Sequence, residues 1–174
     1  EYLRQFAQDA ARTRAPIFLR FASEMNGDWT RYGGNPQRYR EKWRMVKAVM
    51  DRYAPNVAMV WCVNTIPEEP IASFYPGDEF VDWVGVNFYA VPFRDNDPKR
   101  SALFENPADS VKYVYNRYAA QKPIMICEFG VSHRASLDGI EREAWAGRKI
   151  NDLYAALPRL FPRVKCVDIF DNDN

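Results

Sequence analysis

The stretch Pro123-Ile124-Met125-Ile126-Cys127-Glu128-Phe129-Gly130 decides the fold. It is a near-continuous apolar run that closes on a carboxylate and then reaches a glycine. A strand of that composition is buried on both faces, as the strands of a parallel sheet beneath helices are. An acid at the end of such a strand is costly to desolvate, so it points to a task. A second run of the same kind lies upstream: Ile17-Phe18-Leu19-Arg20-Phe21-Ala22-Ser23-Glu24-Met25-Asn26-Gly27-Asp28-Trp29, with Glu24 in the closing position.

Outward from these two runs the chain alternates. Helices are predicted over 2–13 (Leu3, Phe6, Ala7 and Ala10 on one face), over 36–53 behind Pro36, near 108–120, and over 139–156. Strands are predicted over 17–22, 57–63, 81–88, 123–127 and 164–170, with a long loop from Tyr89 to about Pro107. Apolar strands separated by helices give an α/β chain with a parallel sheet. An open doubly wound sheet advertises itself by a glycine-rich phosphate turn, and neither G-x-G-x-x-G nor G-x-x-x-x-G-K-[ST] is present. Polar residues instead gather after several strands: Glu24 and Asn26, Asn64, Asn87 and Tyr89, Glu128 and His133, and Asp171 to Asn174. Function spread over many strand ends is the habit of a (β/α)8 TIM barrel, whose strands converge on one mouth.

A complete barrel needs eight strands and about 250 residues. Five are predicted in these 174 residues. The expectation is therefore an incomplete barrel of about five βα units, strands 4 to 8, forming one partial catalytic domain over 1–174, with the remaining N-terminal barrel units outside the sequence. An open sheet leaves two unpaired edges, so the chain by itself is expected to be inactive and poorly soluble as a monomer.

Composition narrows the function. With 24 Lys+Arg against 23 Asp+Glu, the charge gives no reason to expect nucleic acid or a membrane surface as partner. No apolar run approaches the roughly 20 residues that span a bilayer. Cys62, Cys127 and Cys166 are widely spaced within apolar runs and read as buried free thiols rather than a disulfide framework or a zinc site. Asp168, Asp171 and Asp173 lack the glycine and glutamate of a calcium loop and read as a solvated strand end. No metal and no cofactor is expected.

Glu24 and Glu128 lie about 104 positions apart, which is three βα units at roughly 35 residues each. As the ends of strands four and seven they are expected to face each other across the mouth. Two carboxylates so placed are what glycoside hydrolysis requires: one protonates the leaving oxygen while the other attacks, or activates water, at the anomeric carbon. The acid must hold a proton, which an apolar surround and a neighbouring carboxylate favour; the nucleophile must be ionised, which a donor such as Tyr89 favours. Retention of configuration requires the carboxyls about 5–5.5 Å apart. Trp29 and Tyr32 are candidate sugar platforms. Trp61 and Asn64 are candidates for the floor of the sugar site and a hydroxyl contact, and Ser23, Asn26, Tyr89 and His133 are candidates for touching substrate. Arg20, four residues before Glu24, is expected to point inward from the same strand. Trp43, Trp83 and Trp145 read as core.

The run EMNGDW around Glu24, followed by YGG and a Pro-x-x-Tyr-x-x-x-Trp-Arg helix, resembles glycoside hydrolase family 26, the β-mannanase family. Val60-Trp61-Cys62-Val63-Asn64, Tyr75-Pro76-Gly77-Asp78 with Val81-Asp82-Trp83-Val84-Gly85, and Glu128-Phe129-Gly130 agree in order. The resemblance implies the C-terminal part of a (β/α)8 catalytic barrel and retaining, endo-acting cleavage of a β-linked mannan or related β-glycan. It implies Glu24 as acid/base, Glu128 as nucleophile, no cofactor, and an extracellular or cell-surface location. One position departs from the pattern: the histidine that usually precedes the acid/base is Ser23, which is shorter and carries no charge. Ser23 bears on specificity, and it also supports a rival reading, a carbohydrate-binding protein on the same barrel.

Overall fold

The computed structural model describes residues 1–171. Its strands follow chain order in the sheet, β1-β2-β3-β4-β5, with helices between them. This is the alternation of a (β/α)8 barrel, of which these residues supply five strands. The chain divides into two compact units, residues 1–85 with 121–123, and residues 86–120 with the chain from 124 on.

In the first unit, α1 (Tyr2–Arg12) leads to β1 (Ile17–Leu19), which pairs in parallel with the start of β2 (Val57–Asn64) through Ile17–Val57, Phe18–Ala58 and Leu19–Met59. Between them runs α2 (Pro36–Tyr53), whose start follows from its sequence: the Asn35 side chain accepts from the Arg38 N–H, and Pro36 needs no donor there. Tyr39, Trp43, Val46 and Met50 form its buried face. The Trp43 indole donates to the Phe80 carbonyl at 2.8 Å, and Arg44 donates to the Pro76 carbonyl at 2.7 Å while stacking on Phe80. These bonds tie the loop after β2 to α2. Met59, Val60, Trp61, Cys62 and Val63 are all fully buried, so β2 is enclosed on both faces, and each such side chain contributes roughly 1.5–3 kcal/mol.

A buried cation completes this unit. Lys47 pairs with Asp51 at 2.5 Å and with Asp82 at 3.4 Å, and Asp82 also accepts the Met59 N–H. Burial alone would lower the Lys47 ammonium, but the two carboxylates outweigh it and hold it above its ordinary value.

The second unit contains most of β3 (Trp83–Ala90), α3 (Lys112–Tyr118), β4 (Ile124–Val131), α4 (Glu143–Leu160) and β5 (Val164–Ile169). A 3-10 turn over Pro107–Val111, capped by Asn106, feeds α3. β4 and β5 pair in parallel with two breaks in register, one of them between Ile126 and Phe129. On α4, Trp145 donates to the Leu103 carbonyl and Lys149 to the Glu105 carbonyl, fastening the loop that precedes α3.

Several boundaries differ from the sequence reading. β1 stops at Leu19 because Ala22 and Glu24 take left-handed backbone angles (φ 49° and 59°), which end the extended run. Arg20 therefore does not share a strand with Glu24, and the inward alternation expected for the two does not apply. β4 runs on to Val131, so Glu128 lies within the strand. α4 starts at Glu143 rather than 139, because Asp138 turns the chain through the Ile140 N–H and pairs with Arg142. It then passes Pro158 in its last turn, without the hydrogen bond that a nitrogen there would donate. Cys62 and Cys127 are buried thiols, but Cys166 is only half-buried beside Asp168. Trp43 and Trp145 are core, whereas Trp83 is half-buried, edge-on to Phe18. Asn172, Asp173 and Asn174 lie outside the described residues. Among the described residues, no three His, Cys, Asp or Glu side chains gather as metal ligands would, and no helix is long and apolar enough to cross a membrane.

Candidate active site

Glu24 sits in an irregular turn that β2 holds in place. Its N–H donates to the Cys62 carbonyl at 2.9 Å, and its own carbonyl accepts the Gly27 N–H at 3.1 Å. A left-handed angle at a residue with a Cβ costs on the order of 1–3 kcal/mol and persists where the surroundings over-determine it. Here those surroundings are explicit. Oε2 accepts the Trp29 indole N–H at 2.8 Å, and Oε1 accepts the Asn64 side-chain amide at 3.1 Å. Both carboxylate oxygens therefore have a fixed neutral donor, and the carboxyl is aimed by residues from two different segments.

Trp29 is 56% exposed, so its ring keeps a free face while its N–H is engaged. It rests directly on Gly27, where an added Cβ would lie 2.3 Å from the indole. Glycine is thus required three residues after the acid for the indole to reach it. Tyr32, also exposed, donates to the Ser23 carbonyl at 2.6 Å. Its phenol is raised above the ordinary value, first by burial and then by the negative charge of Glu24. Ser23 thus contributes its backbone to the turn. Trp61 is fully buried and packs edge-on against Tyr75 at 4.9 Å, filling the interior rather than offering a face.

Asn26 is buried, and its amide is spent on the protein. Its oxygen accepts the Asn64 N–H at 3.0 Å, and its NH2 donates to the carbonyls of Asn64 (2.8 Å) and Pro67 (2.9 Å). The Asn64 side-chain oxygen accepts the Ile66 N–H, which turns the NH2 of Asn64 towards Glu24.

Glu128, in the second unit, is positioned by strand register. Ile126 pairs with Val167 and Phe129 with Ile169, so three steps on β4 match two on β5. Such a bulge bends a strand and re-aims a side chain. The Tyr89 hydroxyl, from β3, donates to Glu128 Oε2. Tyr89 lies edge-on to Phe170 and beside Gly130, where an added Cβ would come within 3.1 Å of its ring and 2.9 Å of the Phe170 carbonyl. His133 lies on the exposed loop beyond, 3.3 Å from the Glu141 carboxylate.

The sequence reading named the two glutamates, Tyr89, Trp29 and Asn64, and the structure gives each a specific hydrogen bond within its unit. It missed the work of Gly27 and Gly130, visible in sequence only as a glycine at short offset from an acid. It also took Asn26 as a sugar contact, where the buried amide bridges two backbone segments.

Comparison with known proteins bears on this arrangement. Residues 2–133 match the model of "Glycosyl hydrolase family 26". Over 80 residues the chain is 36% identical to a β-1,3-xylanase, TXYA, of a Vibrio species, covering 43% of this chain and 17% of that protein. Over 117 residues it is 25% identical to mannan endo-1,4-beta-mannosidase A of a Piromyces species, covering 66% of this chain and 16% of that protein. The structure of a modular endo-β-1,4-mannanase from Cellulomonas fimi superimposes with a TM-score of 0.71 at 22% identity, over 98% of this chain and 40% of that one. That likeness carries the fold. The chain spans less than half the length of these relatives.

Proposed function

Because the chain belongs to glycosyl hydrolase family 26, we propose that it carries the two catalytic glutamates of a retaining, endo-acting β-glycanase, with Glu24 as acid/base and Glu128 as nucleophile. The observation that carries this reading is the carboxyl of Glu24, gripped through both oxygens by Trp29 and Asn64 from a strained turn. Strain of that kind at an ionisable side chain belongs to functional sites.

In the first step Glu128 attacks the anomeric carbon as the bond to the leaving oxygen breaks, and Glu24 gives that oxygen its proton. In the second, water attacks the same carbon, Glu24 takes the water's proton, and Glu128 departs as a carboxylate. Two inversions give net retention. The hydroxyl of Tyr89 stabilises Glu128 whenever it is charged, at the start and end of the cycle. Trp29 and Asn64 both donate to Glu24, and a protonated carboxyl keeps acceptor capacity on each oxygen, so both bonds can persist while its O–H is presented to the leaving oxygen.

The substrate is a β-linked mannan or related β-glycan. The higher identity to a β-1,3-xylanase puts β-1,3-xylan first for testing and β-1,4-mannan second. A polymer does not cross a membrane, so the reaction takes place outside the cell or at its surface. The test is reducing-sugar release by the full-length protein on β-1,3-xylan, β-1,4-mannan, glucomannan and mixed-linkage glucan, with NMR of the first-formed product. The β-anomer is expected first. An α-anomer would rule out retention, and binding without release on every polymer would favour a carbohydrate-binding protein.

A further inference from the structure

We infer that Asn26 is a positioning residue for Glu24, acting through Asn64 and touching neither substrate nor the acid itself. The inference rests on Glu24 being the acid/base.

Asn26 is 6% exposed, and its side chain makes three hydrogen bonds, all to backbone. Two of them bracket a single residue, with the oxygen of Asn26 on the Asn64 N–H and its NH2 on the Asn64 carbonyl. An amide that takes both backbone groups of one residue fixes the direction of that residue's side chain. The third bond, to the Pro67 carbonyl, ties the loop after β2 to the same point. The Asn64 amide is then held at both ends, its oxygen by the Ile66 N–H and its NH2 by Glu24 Oε1. Asn26 lies two residues beyond Glu24, and Glu24 itself hangs on β2 through Cys62. The acid is therefore set by a closed circuit: its backbone on Cys62, its carboxyl on Asn64, and Asn64 on the turn that carries the acid.

This role differs from plain structural support in what it protects. The Glu24 proton matters when the leaving oxygen is basic, as a sugar hydroxyl is. A dinitrophenolate departs without a proton: the C–O bond breaks, the bond from C1 to the Glu128 oxygen forms, and the anion is stable as it leaves. A displaced acid therefore harms the first kind of substrate and spares the second, whereas a loosened fold harms both alike.

The experiment uses the full-length protein and compares kcat/KM on the polymer it cleaves with kcat/KM on the corresponding dinitrophenyl β-glycoside. Asn26→Asp keeps the acceptor oxygen and the shape but removes both donated bonds. It is expected to lose about 100-fold on the polymer, the scale of a misplacement near 1 Å, and less than about 5-fold on the aryl glycoside. Asn26→Ser, which avoids a buried charge, should show the same selectivity and serves where Asn26→Asp does not fold; Glu24→Gln is the control. If Glu24→Gln shows the selective loss and the folded Asn26 variants do not, or lose both activities equally, the positioning role is wrong and the acid assignment stands. If Glu24→Gln itself spares the polymer, the acid assignment fails first.

Discussion

Glu24 and Glu128 are the same side chain held by two kinds of backbone. Glu24 sits in a turn with left-handed angles and is held by discrete hydrogen bonds, among them Cys62 on its N–H and Trp29 and Asn64 on its carboxyl. Glu128 sits in a strand, aimed by a break in register between β4 and β5, with Tyr89 donating from β3. Yet each carboxyl accepts from an aromatic donor, and each aromatic rests against a glycine two or three residues past the acid, Gly27 under Trp29 and Gly130 beside Tyr89. The device is shared while its framework is not. On the proposed roles, the turn presents the acid/base through single bonds, and the strand keeps the nucleophile fixed while its charge is spent and restored.

The sharpest way to break this comparison is to remove each carboxyl in the full-length protein. Glu128→Ala is expected to lower kcat on every substrate by on the order of 10⁵-fold or more, with azide restoring turnover as the α-glycosyl azide. Glu24→Ala is expected to cost about 10²–10⁴-fold on polymer, with azide giving the β-azide instead. Identical azide products from both variants would erase the distinction between the two roles.

The glycines come next. Gly27→Ala places a methyl group 2.3 Å from the Trp29 indole, far inside van der Waals contact, so the indole must move off Glu24, and the loss on polymer is expected at about 10–100-fold. Gly130→Ala meets the Tyr89 ring at 3.1 Å and the Phe170 backbone at 2.9 Å; it should slow the first chemical step on aryl glycosides as well, because it disturbs the nucleophile's donor. Stopped-flow measurement of the aryl-glycoside burst separates the two. Equal effects on both substrate types from both variants would mean that the glycines serve the fold alone.

Smaller effects test the frameworks. Asp138, in the loop between β4 and α4, is lowered from 3.8 to about 2, first by its hydrogen bond from Arg142 and then by the Ile140 N–H. A carboxyl lowered on folding contributes fully above its ordinary value and loses that contribution as the pH falls through the folded value. Protection of the Ile140 amide should therefore hold at pH 4 and fade towards pH 2, and Asp138→Asn should abolish that dependence in a hydrogen-exchange series. Smallest of all, Ala22→Gly relieves a left-handed angle in the Glu24 turn and should raise stability by at most about 1 kcal/mol, the strain released less the entropy glycine adds to the unfolded chain. A thermal melt that falls would show that the turn is not strained at that position.

Much of this was legible in the residues. The apolar runs located all five strands, Pro36 fixed the start of α2 to the residue, and the EMNGDW and CEFG runs singled out both acids. The boundaries that moved did so for long-range reasons. β1 was read three residues too long because the chain turns through left-handed angles at Ala22 and Glu24, and Glu24 is held there by Cys62 and Asn64 of β2, some 40 positions away. Asn26 was read as a sugar contact because an exposed and a buried asparagine look alike until their partners are known.

By itself, then, the sequence determined the alternation of elements, the two acids and their family, because hydrophobic periodicity and short motifs are local properties of the chain. Only the tertiary structure decided that Glu24 is held by Trp29 and Asn64, that Asn26 holds Asn64, that Trp61 is interior, and that a register break aims Glu128. Hydrogen-bond partners and strand register are relations between distant segments, and they come into existence only when burial brings those segments together.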